Sequence, residues 1–182
     1  MRRGIYVGRF QPFHNGHMEL VRHIMRTFTP SELLVGIGSA QASHTLRNPF
    51  TGGERFEMIE AALRSEQFAN CRIIPIPDID RHALWVSYVA SLVPPFEQAY
   101  SSDPLTRMLF HEAGYETPDL PLFNRGTYEG REVRRRIVAG EAWNDLVPTA
   151  VRTVIEEIGG VQRIRLLAQS KEAGRSEKHV EE

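Results

Sequence analysis

The chain has 182 residues, 41% of them hydrophobic and 25% charged, and 22 Lys+Arg against 23 Asp+Glu leave a net charge of −1. At this length one domain can bury ~70% of its unfolded surface around a single core, and near-neutrality excludes the basic footprint of a non-specific nucleic-acid binder while leaving small acidic ligands open. Cys71 is the only cysteine, which excludes an intrachain disulfide and a Cys-rich zinc site and suits a reducing, cytoplasmic setting.

No run approaches the ~20 apolar residues of a membrane span, and Arg2-Arg3 precede an apolar stretch too brief for a signal sequence. Ile5 to Gly8 is a short apolar run ended by glycine, after which Leu20, Val21, Ile24 and Phe28 recur at helical spacing before Pro30. Leu33 to Gly38 predicts a second buried strand, and Thr51-x-x-Glu54 a capping box for a helix with Phe56, Ile59 and Leu63 inward. Cys71 to Ile76 predicts a third strand, placed at an edge or ended by Pro75, which lacks an N–H. Trp85, Val89 and Leu92 mark a helix stopped by Pro94-Pro95, and Phe96 to Tyr100 is a weak fourth strand. Leu105 to Ala113 reads as a helix, Leu120 to Phe123 as a fifth strand, and Glu132 to Val138 as a helix closed by Gly140. Pro148 opens a further helix with Val151, Val154, Ile155 and Ile158 inward.

This alternation predicts an α/β fold: a Rossmann-like, doubly wound parallel sheet of about five strands in one domain (1–168) with C-terminal helices, followed by a charged tail (169–182) that reads as a mobile extension. Such sheets bind ligands beyond the carboxyl ends of their strands, which directs attention to the loops after Val7, Ile37, Ile76 and Tyr100.

The first of these loops is Gly8-Arg9-Phe10-Gln11-Pro12-Phe13-His14-Asn15-Gly16-His17, and it puts two imidazoles at a helix start, where free backbone N–H groups attract anions. Gly8 would let the backbone approach a nucleotide, Gly16 would allow close packing, and His14 and His17 would donate to phosphate oxygens. A histidine that merely caps the helix is the plain alternative, and a metal pair at i, i+3 lacks a nearby third ligand. Walker, dinucleotide-binding, zinc-protease and serine-elbow motifs are all missing from the sequence.

Taken together, GRFQPFHNGH (8–17), GIGSAQASHTLRNPFTGGER (36–55), PDIDRHALW (77–85), PPFEQAYSS (94–102), EVRRR (132–136) and LVP (146–148) resemble the nucleotidyltransferase α/β-phosphodiesterase superfamily. Within it the chain is similar to the archaeal-type nicotinamide mononucleotide (NMN) adenylyltransferases, from about residue 4 to 168. The resemblance implies the reaction ATP + NMN → NAD + pyrophosphate, Mg²⁺ or another divalent cation with ATP, and a homo-oligomer. It implies catalytic roles for His14, His17 and Arg134. ATP binding falls to Gly8, Arg9, Phe10, His14, His17, Asp103, Arg131 and Arg134, and NMN binding to Ser39, Arg47, His82 and Trp85.

The residues support such chemistry independently. A phosphomonoester is mostly dianionic at pH 7, its second pKa being about 6, so its attack on a phosphorus atom needs position and positive charge more than a strong base. On the helix near residue 134 the inward stripe of Val133 and Ile137 leaves Arg131 and Arg135 opposite it and Arg134 and Arg136 on its flanks. Periodicity does not choose between the flanks; the resemblance selects Arg134. Periodicity alone makes Trp85 a core residue, whereas the resemblance sets it against the nicotinamide ring. Trp143 reads as packing.

The sequence also departs from the family. His82 stands in place of an asparagine, Ser102-Asp103 in place of Gly-Asn, and Glu129 and Arg131 in place of Ser and Thr. Glu129 would repel phosphates unless paired with an arginine such as Arg131 or bound through Mg²⁺. These departures keep two other readings open: transfer of AMP or CMP to another phosphomonoester, and a non-catalytic nucleotide-binding module.

Overall fold

A computed structural model of the chain describes residues 2–121 and 129–178, with side chains as far as residue 170. Strands β1 (Arg3–Gly8), β2 (Glu32–Gly38), β3 (Cys71–Ile76) and β4 (Gln98–Tyr100) form a parallel sheet in the order β3-β2-β1-β4. Alternation along the strands splits the core in two. Tyr6, Leu33, Val35 and Ile37 face one layer, built on α1 (Asn15–Thr27), α2 (Gly52–Ser65), α5 (Gly130–Ala139), α6 (Thr149–Glu157) and α7 (Gly160–Lys178). Ile5 and Leu34 face the other, built on α3 (His82–Leu92) and α4 (Pro104–Glu112).

The chain winds outward from β1 through β2 to β3 and then returns to the other side of β1 to form β4. The loops leaving β1 and β4 therefore diverge and open a crevice between them, the topological switch point of an open α/β sheet. Gly4 makes this return close-fitting, because a Cβ there would lie 2.2 Å from the ring of Tyr100. Pro75 lies on edge strand β3, and the Thr51–Glu54 capping box is formed, with Thr51 N–H donating to Glu54 at 2.9 Å and Glu54 N–H to Thr51 Oγ1 at 3.1 Å. Gly140 ends α5 at φ 71°, a conformation that favours glycine. Trp143 is buried in the main core, as expected.

The fold class is as expected, but the sheet has four strands among the described residues. Leu120 and Pro121 are not in a strand; Leu122 and Phe123 lie outside the described residues. Pro118 and Pro121 withhold backbone donors on either side of Leu120, whose side chain packs on the main core instead. The position outside β4 is taken by Glu116, in a single bridge to Gln98. Helix α7 continues through residue 169, the expected start of the tail, to Lys178.

Candidate functional site

The switch-point crevice is a cleft of about 710 Å³. Its wall includes Gly8, Arg9, Phe10, His14 and His17 from the β1 loop and α1, Arg47 from the β2–α2 connection, Asp103 after β4, and Glu129, Arg131 and Arg134 at the start of α5. Nine of the twelve residues expected from the sequence thus converge on one space.

The β1 loop is tightly determined. Phe10 sits at φ 49°, a left-handed conformation that costs a non-glycine residue about 1–3 kcal/mol, and its ring fills the space beside Gly8, where a Cβ would meet it at 2.7 Å. Gly8 therefore makes room for the ring of Phe10. Phe10 itself is 1% exposed and presents its ring edge-on to His17, at 4.8 Å, so it supports the site from beneath. Gln11 fastens the loop to its neighbour: its Nε2 donates to Phe50 O at 2.9 Å, and Phe50 N–H donates to its Oε1 at 3.0 Å.

His14 and His17 do cap the helix, and the capping defines their chemistry. His17 N–H donates to His14 Nδ1 at 3.4 Å and His14 N–H to His17 Nδ1 at 3.2 Å, with the rings stacked 3.5 Å apart. An Nδ1 that accepts carries no proton, so each neutral ring keeps its proton on Nε2, a donor free of the capping work. Burial, then Arg134, push the pKa of His14 down to about 3; burial, then His14, hold His17 well below its ordinary 6.5. Both are neutral at physiological pH. The capping and phosphate-donor readings are therefore compatible, since they use opposite nitrogens.

Positive charge comes from arginines. Burial, then Arg9 and Arg47, lower the pKa of Arg134 to about 10; that of Arg9 is lowered by burial and Arg47 and raised in part by Asp103. The like charges of Arg9, Arg47 and Arg134 face one another in the cleft, a repulsion that a bound polyphosphate would relieve. Arg134 Nη1 donates to Gln11 O, and a Cβ at Gly130 would lie 2.8 Å from that same oxygen, so glycine lets α5 start against the β1 loop. This contact decides which flank of α5 faces the cleft. The other flank carries Arg136, paired with Glu132 and Asp145, while Arg135 pairs with Glu132 and Glu141. Arg131 holds Glu129 at 3.0 Å, which offsets the carboxylate expected to repel phosphates.

Ser39, His82 and Trp85 are not in the cleft wall. They lie beyond the ends of β2 and β3: Ser39 Oγ donates to Asp78 Oδ2 at 3.2 Å, His82 opens α3 exposed to solvent, and half-buried Trp85 meets Phe110 edge-on at 5.4 Å. The periodicity reading of Trp85 is thus met in part, since its ring packs on the second core cluster.

Sequence reasoning gave no role to Arg55. Its guanidinium is fully buried and donates to six backbone carbonyls, spread over Arg9, the 38–42 loop and Thr51. The signal was present: Arg55 precedes Met58, Ile59 and Ala62 by three, four and seven residues, a charge on the apolar stripe of α2.

Residues 5–149 match the cytidylyltransferase-like family model. The chain belongs to the cytidylyltransferase-like family. Among cytidylyltransferase-like relatives, the nicotinamide-nucleotide adenylyltransferase of Picrophilus torridus is 48% identical over 170 residues, covering 93% of this chain and 99% of that one. The enzyme of the same name from Methanothrix thermoacetophila is 50% identical over 169 residues, with 93% and 98% covered. A crystal structure of a bifunctional NMN adenylyltransferase/ADP ribose pyrophosphatase from Francisella tularensis, complexed with AMP and Mn ion, superposes with a TM-score of 0.75 at 19% identity. This likeness concerns the fold; it covers 98% of this chain and 55% of that one. The similarity to archaeal nicotinamide-nucleotide adenylyltransferases read from the motifs thus extends over most of the chain. No helix among the described residues is long and apolar enough to cross a membrane.

Proposed function

We propose that this protein transfers AMP from ATP to NMN, forming NAD and pyrophosphate. The observation that carries the reading is the convergence of Arg9, Arg47 and Arg134 with two neutral imidazole donors at the switch point of the sheet. A phosphate oxygen of NMN attacks the α-phosphorus of ATP, a new P–O bond forms, and the bond from that phosphorus to the oxygen bridging to the β-phosphate breaks. The electron pair leaves on pyrophosphate.

Arg9 and Arg134 hold the leaving phosphates, and His14 and His17 donate from Nε2 to oxygens that gain charge as the bond breaks. Charge added to the leaving group draws those donors closer without a proton having to leave them. Arg47, on the connection that follows β2, orients the incoming phosphate, and Ser39, directly after β2, with Trp85, on α3, receives the nucleoside end of the acceptor. Asp103 caps α4 through one carboxylate oxygen, Oδ2 accepting from Thr106 N–H at 2.8 Å and Oγ1 at 2.9 Å, which fixes the carboxylate in the cleft wall after β4.

The donor set fits a divalent cation that arrives on the nucleotide. Among the described residues no three His, Cys, Asp or Glu side chains cluster to cage a metal, and the two carboxylates of the cleft wall, Asp103 and Glu129, are both hydrogen-bonded or ion-paired. Mg²⁺ usually keeps several waters and takes one or two carboxylates plus substrate phosphates, so Asp103 and Glu129 are the residues that would complete its sphere. When bound it neutralises charge on the leaving phosphates.

An acceptor screen with ATP and Mg²⁺, following pyrophosphate release, tests the reading. NMN should be turned over with the highest kcat/KM of the phosphomonoesters offered. Binding of ATP without pyrophosphate release would instead indicate a non-catalytic module, and preference for an unrelated phosphomonoester a different transferase.

A further inference from the structure

Arg55 is the largest fully buried side chain of the described residues, and every one of its hydrogen bonds among them goes to a backbone carbonyl. Taking a guanidinium out of water is costly unless its donors are satisfied. Here they are: Nε donates to Thr51 O at 3.1 Å, one terminal nitrogen to Arg9 O and Gly38 O at 2.9 Å each, and the other to Ser39 O at 3.1 Å, Ala40 O at 3.2 Å and Ala42 O at 3.4 Å. The six acceptors come from three segments distant in sequence: the exit of β1, the exit of β2, and the N-cap of α2. A single side chain therefore ties together the loop that carries Arg9, the loop that carries Ser39, and the helix from which it projects.

A second observation points the same way. Phe10 and Ser39, each bonded to a residue whose carbonyl Arg55 holds, sit at φ 49° and 48°. Non-glycine residues remain in that region only where their surroundings over-determine the backbone. Gly52 lets the α2 start come close: a Cβ there would lie 2.9 Å from Ala40 O, one of the carbonyls that Arg55 binds. Neither Phe10 nor Ser39 is glycine, so the contacts around them hold both backbones in place, and two loops that must hold different substrates in line need such a fixed relation to each other.

We infer that Arg55 is a positioning residue that locks the β1 loop and the β2 loop into one rigid unit, so that the ATP side and the acceptor side of the site are set together. It touches neither substrate. The inference rests on the proposed division of the two loops between ATP and NMN. Lysine keeps the charge but has three donors on a point-like ammonium, too few to span six carbonyls in a fork. Arg55→Lys should therefore raise the KM for ATP and the KM for NMN together, each by about tenfold or more, and lower kcat, at temperatures where circular dichroism shows the variant folded.

A merely structural role predicts lost thermal stability and unchanged constants. Ile155→Ala supplies the control: it opens the buried α2–α6 contact away from both loops and should lower Tm while leaving both KM values within twofold of the parent. Gly52→Ala supplies a second perturbation, should Arg55→Lys not fold. It pushes on the 38–42 loop only, so a locked unit passes the displacement to the ATP constant as well, and independent loops confine it to NMN. Millimolar guanidinium added to Arg55→Ala should restore part of the lost activity. The inference is overturned if Arg55→Lys keeps both KM values within twofold of the parent, if Gly52→Ala raises that for NMN alone, or if Ile155→Ala raises both as much as Arg55→Lys. Turnover of NMN by the unsubstituted protein in the same assay separates this outcome from failure of the proposed reaction itself.

Discussion

Replacing His14 by asparagine isolates a pH-dependent part of the stability. Asparagine is among the best N-cap residues, so its side-chain oxygen can still accept from His17 N–H while the titrating ring is gone. In the folded protein the pKa of His14 lies at about 3 against an ordinary 6.5, because burial and Arg134 both oppose a second proton. Between those values the unfolded chain binds more protons than the folded one, so the slope of unfolding free energy against pH is positive. The contribution is complete above 6.5 and is lost progressively as pH falls toward the folded value. Integrated from pH 7.5 to pH 5, the loss is about 2 kcal/mol for this one group. Urea unfolding at half-unit steps over that range, on the parent and on His14→Asn, reads the difference directly. The parent should lose about 2 kcal/mol more than the variant. Parallel curves, or a parent that gains relative to the variant on acidification, would refute the argument that the capping imidazoles are held neutral.

Three further perturbations separate chemistry from support. His17→Ala should lower kcat by about 10²–10³, the usual cost of one aligned transition-state donor, and a kcat within threefold of the parent removes His17 from the chemistry. Trp85→Ala should raise the KM for NMN with that for ATP unchanged, and should also lower Tm because the ring packs against Phe110; equal rises in both constants would contradict a local acceptor contact. Glu54→Gln breaks the pair with Arg163, at 2.6 and 2.7 Å, that ties the start of α2 to α7. With both groups about four-fifths buried the loss should be about 1–3 kcal/mol, and a Tm change below about 1 °C would show that the pair contributes little.

Local rules read much of this molecule. Apolar runs located four strands, the Thr51–Glu54 spacing a helix start, and Gly140 a helix end, because each depends on neighbours within a few residues. The place of the His-x-Gly-His loop, between a parallel strand and the helix start it caps, was legible for the same reason. What the sequence concealed depends on packing between distant segments. The choice of Arg134 over Arg136 follows from the contact of α5 with Gln11, 123 residues earlier. The six carbonyls around Arg55 meet only after two strands have paired. Leu120 looked like strand because an apolar residue between prolines shows no period to distinguish core packing from pairing. Helix α7 was not read as an element of its own because, among its described residues, the apolar ones that pack inward, Val161, Ile164 and Ala168, run directly into the charged stretch from residue 169.

The central claim is that one bond forms at the α-phosphorus of ATP while pyrophosphate leaves. Phosphorus-31 NMR of the protein mixed with ATP, NMN and Mg²⁺ observes both products at once. The account predicts the diphosphate resonances of NAD and the single resonance of pyrophosphate rising in equal amounts as ATP and the NMN monoester signal decline. Formation of ADP and inorganic phosphate, or ATP consumed with the NMN signal intact, would contradict it.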